Sequence, residues 1–437
     1  VTTSHRPGPG HPEWLRAEEE RLYFFAAGSV VPDGFGWLDA RGRVEERPTA
    51  AWITARMTHV FSLAHLRGAE GAAALADHGL AALAGPLRDA ELGGWFDAVP
   101  SDPTALSGPA LWECSHDGGG RAGAGQELRK SAYEHAFVVL AAASAAVAGR
   151  PGAADLLAEA LGVVEERFWE DSAGAVRESW DRGWTATEDY RGANSNMHCV
   201  EAFLAAADAT GDARWARRAL AIAERLVHGV AAEYDWRLPE HFTSDWKALP
   251  EHHREQPDHP FRPFGSTTGH LLEWARLLVH LEASLTGAGE EAPAWLRADA
   301  VALFGHAVRR GWAADGREGF VYTLDWDDSP VVRERMHWVV AEAAMAAWAL
   351  GEATGDGAYG RDYDRWWTYA DRHHIDREHG GWHHELDPDH RPAGSVWPGK
   401  PDVYHAYQAV LLPRIGLAGS LAGALAGGSG AQRGGAA

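Results

Sequence analysis

Residues Gly265–Leu278 read GSTTGHLLEWARLL. The stretch has the marks of a helix start: Ser266, Thr267 and Thr268 can cap, and leucine, tryptophan and alanine follow at helical spacing. His270 and Glu273 stand three apart, so they share one face with Leu277 in a helix otherwise composed for a core. An imidazole and a carboxylate in that position need partners or a polar cavity, because a buried polar group without them costs about 1–3 kcal/mol.

The same oddity recurs along the chain. Arg56, His135, His198, His270, Glu342 and His405 are spaced 79, 63, 72, 72 and 63 residues apart, each in an alternate Ala/Leu-rich segment. Apolar residues recur at three and four over Ala50–Arg67, Gly71–Ala84, Ser131–Ala148, Asp155–Trp169 and Ser195–Ala209. The pattern continues over Ala213–Val230, Thr268–Leu285, Ala294–Gly311, His337–Leu350 and Arg361–His373. Between helix pairs come glycine, aromatic residues and an acidic turn: GFGWLD from Gly34, GGWFDA from Gly93, GFVYTLDWDD from Gly319 and GGWHHELDPD from Gly380, with FWEDSAGAVRESW from Phe168 a looser match. These are strand–turn signatures. The result is a weak internal repeat in which each interval suits two helices and their connections. Five to six such helix hairpins predict an all-α fold, an (α/α)6 barrel with short β-hairpins at one end. The competing architecture is an open α-solenoid, whose repeats are usually shorter and more alike.

The 437 residues and 46% hydrophobic content allow a large core, and barrels often exceed the usual domain length as one unit. We expect a flexible N-terminus over residues 1–12, one catalytic domain over 13–420, and a disordered Gly/Ala-rich tail over 421–437. Forty basic against 62 acidic residues, a net charge of -22, argue against nucleic acid or an anionic membrane as partner. Cys114 and Cys199 lie in different segments, which suits a reduced chain. The first residues carry no apolar stretch of signal-peptide type, and no run approaches ~20 apolar residues. A soluble, cytoplasmic protein, monomeric or weakly homo-oligomeric, is the expectation.

Taken singly, the polar landmarks have plain structural readings. Arg56, in AWITARMTHVFSLAHL with Trp52 and His59 on its flank, suits a buried salt bridge. His198, in NSNMHCVEAFLAAADATGD, suits a satisfied core histidine. His270 and Glu273 have metal-ligand spacing, but no H-x-x-x-H with a third ligand accompanies them. A carboxylate one turn away can instead fix a histidine's tautomer. In WPGKPDVYHAYQAVLLPR, Pro401 or Asp402 opens a last helix with His405 in its first turn. His383 and His384, in GGWHHELD, read as hairpin surface or rim. Together the landmarks occupy the helices that would form an inner ring, so a toroid gathers them around one polar funnel.

The segments RMTHVF, ANSNMHCVEAFLAA, GHLLEWARLL, HWVVAEAAMAA and WPGKPDVYHAYQAVLLPR, in that order from Arg56 to Arg414, resemble the N-acylglucosamine 2-epimerase superfamily. They are more similar to its aldose–ketose isomerase branch, which acts on mannose or sulfoquinovose. The resemblance spans about Trp14 to Leu417 and implies an (α/α)6 barrel that needs neither metal nor cofactor. It places catalytic histidines at His198, His270 and His405, a substrate-binding arginine at Arg56, and Glu273 as the partner of His270. It implies a substrate pocket with Trp52, Tyr133, Asn194 and Trp338, to which Glu342 is added. Arg262, in FRPFG, is the possible counterpart of a sulfonate-binding residue.

The implied reaction interconverts an aldose such as D-mannose or D-lyxose with its ketose, D-fructose for mannose, through a cis-enediol. By resemblance His405 would move the C1/C2 proton and His270 would open the ring and handle the O1/O2 protons. Arg56 and His198 would stabilise the oxyanion. Three other readings stay open. One is a 2-epimerase using His270 and His405 on opposite faces of C2. Another is a glycoside hydrolase using Glu273 and Glu342. The third is a sugar-binding or partner-binding protein without turnover.

Overall fold

A computed structural model describes residues 8–99 and 129–433, with side chains described as far as Gly427. Cys114, the first seven residues and the last four lie outside the described residues. The helices are α1 (Pro12–Ala27), α2 (Ala51–Leu66), α3 (Ala72–Ala84), α4 (Ala132–Val147), α5 (Ala153–Val163), α6 (Ala193–Thr210) and α7 (Arg214–Ala223). They continue with α8 (Thr268–Gly287), α9 (Trp295–Gly311), α10 (His337–Thr354), α11 (Ala358–His373), α12 (Tyr404–Leu411) and α13 (Leu421–Arg433).

The even-numbered helices from α2 to α12 form a ring in which each packs on the next, and α12 closes on α2. The odd-numbered helices lie outside them: α3 on α2, α5 on α4, α7 on α6, α9 on α8, α11 on α10, and α1 on α12. This is the expected (α/α)6 barrel, and the closure of α12 on α2 separates it from a solenoid. Sequence periodicity explains the two layers. Inner helices are apolar all round because both sides are covered; every residue from Ala51 to Ala64 of α2 is buried. Outer helices bury one stripe, as α11 does with Trp366, Trp367, Tyr369 and Ala370.

The sixth outer helix is α1, which the expected segments did not include. Its run of charges hid a stripe of Leu15, Leu22 and Ala26. Its Glu18 accepts from Trp382 Nε1 at 2.9 Å, and its Glu19 pairs with Arg414, so the charges themselves are tied into the barrel. Residues 8–12, expected to be flexible, are anchored too, for Gly10 O accepts from the Tyr363 hydroxyl at 3.1 Å. At the other end, the Gly/Ala-rich segment expected to lack order is largely the helix α13. Its Leu421, Ala422 and Leu425 are buried, and it packs against α2, α4 and α6. The small residues permit that approach: a Cβ on Gly423 would sit 2.1 Å from Asp208 Oδ2.

Short strands lie at the N-terminal end of five inner helices. Thr49–Ala50 pairs with Ala98–Val99, Arg129–Ser131 with Ser179–Asp181, and Arg191–Gly192 with His241–Phe242. Ser266–Thr267 pairs with Thr323–Leu324, and Arg335–Met336 with Glu385–Leu386. All five pairs are antiparallel. Each ladder extends by one bond into the helix: the first amide of α2, α4, α6, α8 and α10 donates to Asp97, Glu178, Glu240, Tyr322 and His384 carbonyls respectively, at 2.8–3.1 Å. The threonines expected to cap α8 therefore do not, since Thr267 and Thr268 hydroxyls make no hydrogen bond within the protein. The strands gather the starts of these helices, and hence their first-turn side chains, at one mouth.

Gly265 leads into the strand before α8 at φ 90°, and a Cβ there would lie 2.2 Å from the Leu324 carbonyl oxygen. Gly265→Ala should destabilise the protein by at least about 2 kcal/mol, read by urea melting. A loss under about 0.5 kcal/mol would mean that this strand does not set the position of α8.

Candidate active site

A pocket opens at the strand-bearing end of the barrel. Its floor carries Arg56, His198, His270, Glu273 and His405, and its walls include Trp52, Tyr133, Asn194, Trp338, Phe261, Tyr322 and Trp397. Aromatic walls around a few polar groups suit a small polar ligand with apolar faces.

Arg56 is placed by the first turns of α2, where its guanidinium donates to Asp402 Oδ2 at 3.2 Å and to the Tyr133 hydroxyl at 2.8 Å. The same group stacks over Phe137 and Trp52, at 4.3 and 4.9 Å from the ring centroids. Burial works against its charge, but Tyr133 and Asp402 more than offset that, so it stays a fixed cation.

His405 is in the first turn of α12, with Nδ1 2.9 Å from Glu342 Oε1. His270 is in the first turn of α8, with Nδ1 2.9 Å from Glu240 Oε1. A carboxylate accepts, so each Nδ1 carries the hydrogen. Trp338 lies between the two imidazoles, 5.2 Å from the His270 ring and 5.6 Å from that of His405. Burial, reinforced by the charge of Arg56, holds His405 well below the ordinary histidine range, so the ring is neutral near pH 7. His198 is pushed down to about 4, mainly by burial. Its Nδ1 and the Asn194 side-chain oxygen make no hydrogen bond within the protein. The site thus offers neutral imidazoles as proton acceptors beside one permanent cation, a set suited to acid–base chemistry.

Nine of the eleven residues singled out from the sequence line this pocket. Glu342 does not; it stands behind His405 and serves that ring. Arg262 does not either. Its guanidinium is clamped to Glu188 by two bonds, of 2.6 and 3.0 Å, and lies over the Tyr190 ring. It fixes the segment that carries Phe261 and Pro263 into the pocket wall. Glu273 lines the floor but is not the partner of His270. It is one turn deeper, 3.8 Å from His198 Nδ1 and 3.6 Å from an Arg276 nitrogen. Burial and the neighbouring Glu342 raise its carboxyl well above the usual range. His384, expected on the rim, is buried in the pocket wall, where its Nε2 donates to Asp402 O at 3.0 Å.

The residues that sequence reasoning missed are Glu240, Tyr322 and Asp402 around the pocket and Arg276 beneath it. Glu240, Tyr322 and His384 occupy equivalent hairpin positions, each supplying the carbonyl that meets the first amide of an inner helix. Superposing the hairpin repeats would have exposed that signal.

Two buried triads, His198–Glu201–Glu273 and Glu273–Glu342–His405, bring possible metal-ligand atoms within 4.8 Å of one another. Arg276 already supplies a positive charge there, bonded to Glu342 at 2.7 Å and 3.6–3.8 Å from Glu273 and Glu201. A guanidinium in that place competes with a cation for the same carboxylates. Glu273 and Glu342 also fail the geometry of a glycosidase pair, because Glu342 lies behind His405 and not across a substrate bond from Glu273.

The sequence profile of the family described as N-acylglucosamine 2-epimerase (GlcNAc 2-epimerase) matches residues 34–114 and 115–409. A D-mannose isomerase of Thermobifida fusca is 58% identical over 419 residues, covering 95% of this chain and 97% of its own. A D-mannose isomerase of Pseudomonas cannabina pv. alisalensis is 51% identical over 420 residues, covering 96% of each. Among solved structures, a crystal structure of D-mannose isomerase superposes with a TM-score of 0.80 at 26% identity, over 92% of this chain and 98% of that one.

A histidine whose folded pKa lies below its unfolded value of ~6.5 takes up its proton only in the unfolded state as pH falls, so it costs stability below about pH 6.5 and none above. NMR of ring-labelled histidine should find His198 neutral from pH 8 to 5 and titrating near pH 4, about the value burial imposes. A ring already charged at pH 6 would contradict the dry setting ascribed to it.

Proposed function

The chain belongs to the N-acylglucosamine 2-epimerase family and is an isomerase enzyme; from that premise we propose that it interconverts D-mannose, and related aldoses such as D-lyxose, with the corresponding ketose, D-fructose for mannose. The reaction proceeds without a metal or other cofactor. The observation that carries the reading is the His405 imidazole lining the pocket with its Nδ1 tied to Glu342, which leaves Nε2 to act as a base.

A C2–H bond of a sugar becomes acidic only beside a carbonyl, so the ring opens first. His270, oriented by Glu240, shuttles the anomeric hydroxyl proton to the ring oxygen. His405 Nε2 then takes the proton from C2, and the electron pair forms the C1–C2 double bond of a cis-enediol as charge moves to O1. Arg56 stabilises that oxyanion. The imidazolium of His405 returns its proton to C1, while the O2 proton passes to O1 through His270, leaving a carbonyl at C2. Each proton transfer of this kind contributes about 100- to 10,000-fold. His198 and Asn194 offer their unused hydrogen-bonding atoms to the sugar hydroxyls, and Trp52 and Trp338 cover its apolar faces.

A 2-epimerase is the second reading, and one observation favours it: both His270 and His405 have a carboxylate behind Nδ1, as two bases on opposite faces of C2 require. Relatives named D-mannose isomerase at 58% and 51% identity weigh the other way. A sulfonated sugar receives no support from Arg262, whose charge is taken by Glu188. Conversion of fructose in D2O, followed by NMR, decides between the two main readings. Mannose labelled at C2 should form as the first product, and mannose supplied alone should give fructose with at most traces of glucose. Glucose appearing before fructose would replace this reading with the epimerase.

A further inference from the structure

Beneath the pocket, on the barrel axis, Arg276 of α8 is 2% exposed. Its neighbours Ala275, Leu277 and Leu278 are ordinary core residues. Nε donates to Glu342 Oε2 at 2.7 Å and Nη2 to Glu342 Oε1 at 3.2 Å, a two-point clamp. That same Oε1 receives His405 Nδ1. On its other side the guanidinium faces Glu273 at 3.6 Å and Glu201 at 3.8 Å. Glu201 in turn accepts from Gln408 Nε2 at 3.2 Å and from the Tyr404 hydroxyl. One cation therefore stands among three buried carboxylates drawn from α6, α8 and α10.

A buried cluster of this kind is a poor way to stabilise a fold, since well-packed apolar residues of the same volume often do as well or better. Its arrangement has a chemical consequence instead. Glu342 fixes the His405 tautomer only while it is an anion; as a neutral acid it can turn its own proton toward Nδ1 and leave Nε2 carrying the hydrogen. Burial leaves the Glu342 carboxyl above its ordinary range, and Arg276 is the largest influence holding it down. We propose that Arg276 is a positioning residue of the reaction, acting through Glu342 to hold His405 with hydrogen on Nδ1 and a bare Nε2 toward the sugar. This rests on the reading of His405 as the C1/C2 base.

The two steps of that chain are separable by experiment. Three variants are compared with the wild type: Arg276→Met, Glu342→Gln and the double variant. Arg276→Met should lower kcat about 100-fold, the loss that a misplacement of a reacting group by about 1 Å can bring, with KM nearly unchanged. Ring-nitrogen NMR should find His405 moving from hydrogen on Nδ1 to a mixture of tautomers. Leaving Glu342 buried without its partner can unfold the single variant. The double variant removes both charges, so its kcat should equal that of Glu342→Gln within about twofold, as expected when one residue acts only through the other. A double variant a further tenfold slower, or a His405 tautomer unmoved in Arg276→Met, overturns the proposal while leaving His405 as the base. A shifted tautomer with undiminished kcat overturns it by the other route, removing His405 from the chemistry.

Discussion

The first N–H of a helix has no acceptor within that helix. In five inner helices here it donates to a carbonyl of the hairpin that follows the next outer helix. The sixth differs: Tyr404 N at the start of α12 donates to the Asp402 side chain at 2.8 Å. The other oxygen of Asp402 receives Arg56 of α2. Where the repeat would end, an ion pair therefore takes over the strand's task and closes the ring, and it does so inside the pocket. Closure of the barrel and placement of the substrate-facing cation are one interaction.

Four of the five hairpin residues that supply these carbonyls also reach toward the following inner helix with their side chains. Glu178 serves Ala132 through its carbonyl and Ser195 through its carboxylate. Glu240 serves Ala193 and His270. Tyr322 serves Thr268, and its ring meets Trp338 edge-on. His384 serves His337 and Asp402. Adjacent inner helices are thereby cross-linked at their first turns, where functional side chains need the most accurate placement. The same device that satisfies backbone amides locates the imidazoles.

This division explains what was legible in the sequence. Arg56, His198, His270 and His405 stood out because charged and imidazole groups contradict Ala/Leu-rich helices, and their spacing carried the ring. Their partners did not stand out. Glu240 is 30 residues from His270, just ahead of a strand of two residues with no period to read. The pair His270–Glu273 suggested contact because three residues on is the same face, yet it is also one turn deeper, and that turn separates the mouth from the axis. Arg262 lies in a segment without regular structure, where sequence carries no direction. The glycines of α13 read as a disordered tail, since composition does not reveal that small residues are there to let backbone approach Asp208.

The central claim is that the barrel presents a neutral His405 Nε2 to the C1–C2 end of an open-chain sugar. A crystal structure with D-mannitol, which mimics the opened chain, tests it directly. The account predicts C1 and C2 within about 3–3.5 Å of His405 Nε2, the separation at which proton transfer is poised, with O1 or O2 on Arg56. A ligand whose C1–C2 end lies away from His405, or whose oxygens leave Arg56 unengaged, would contradict it.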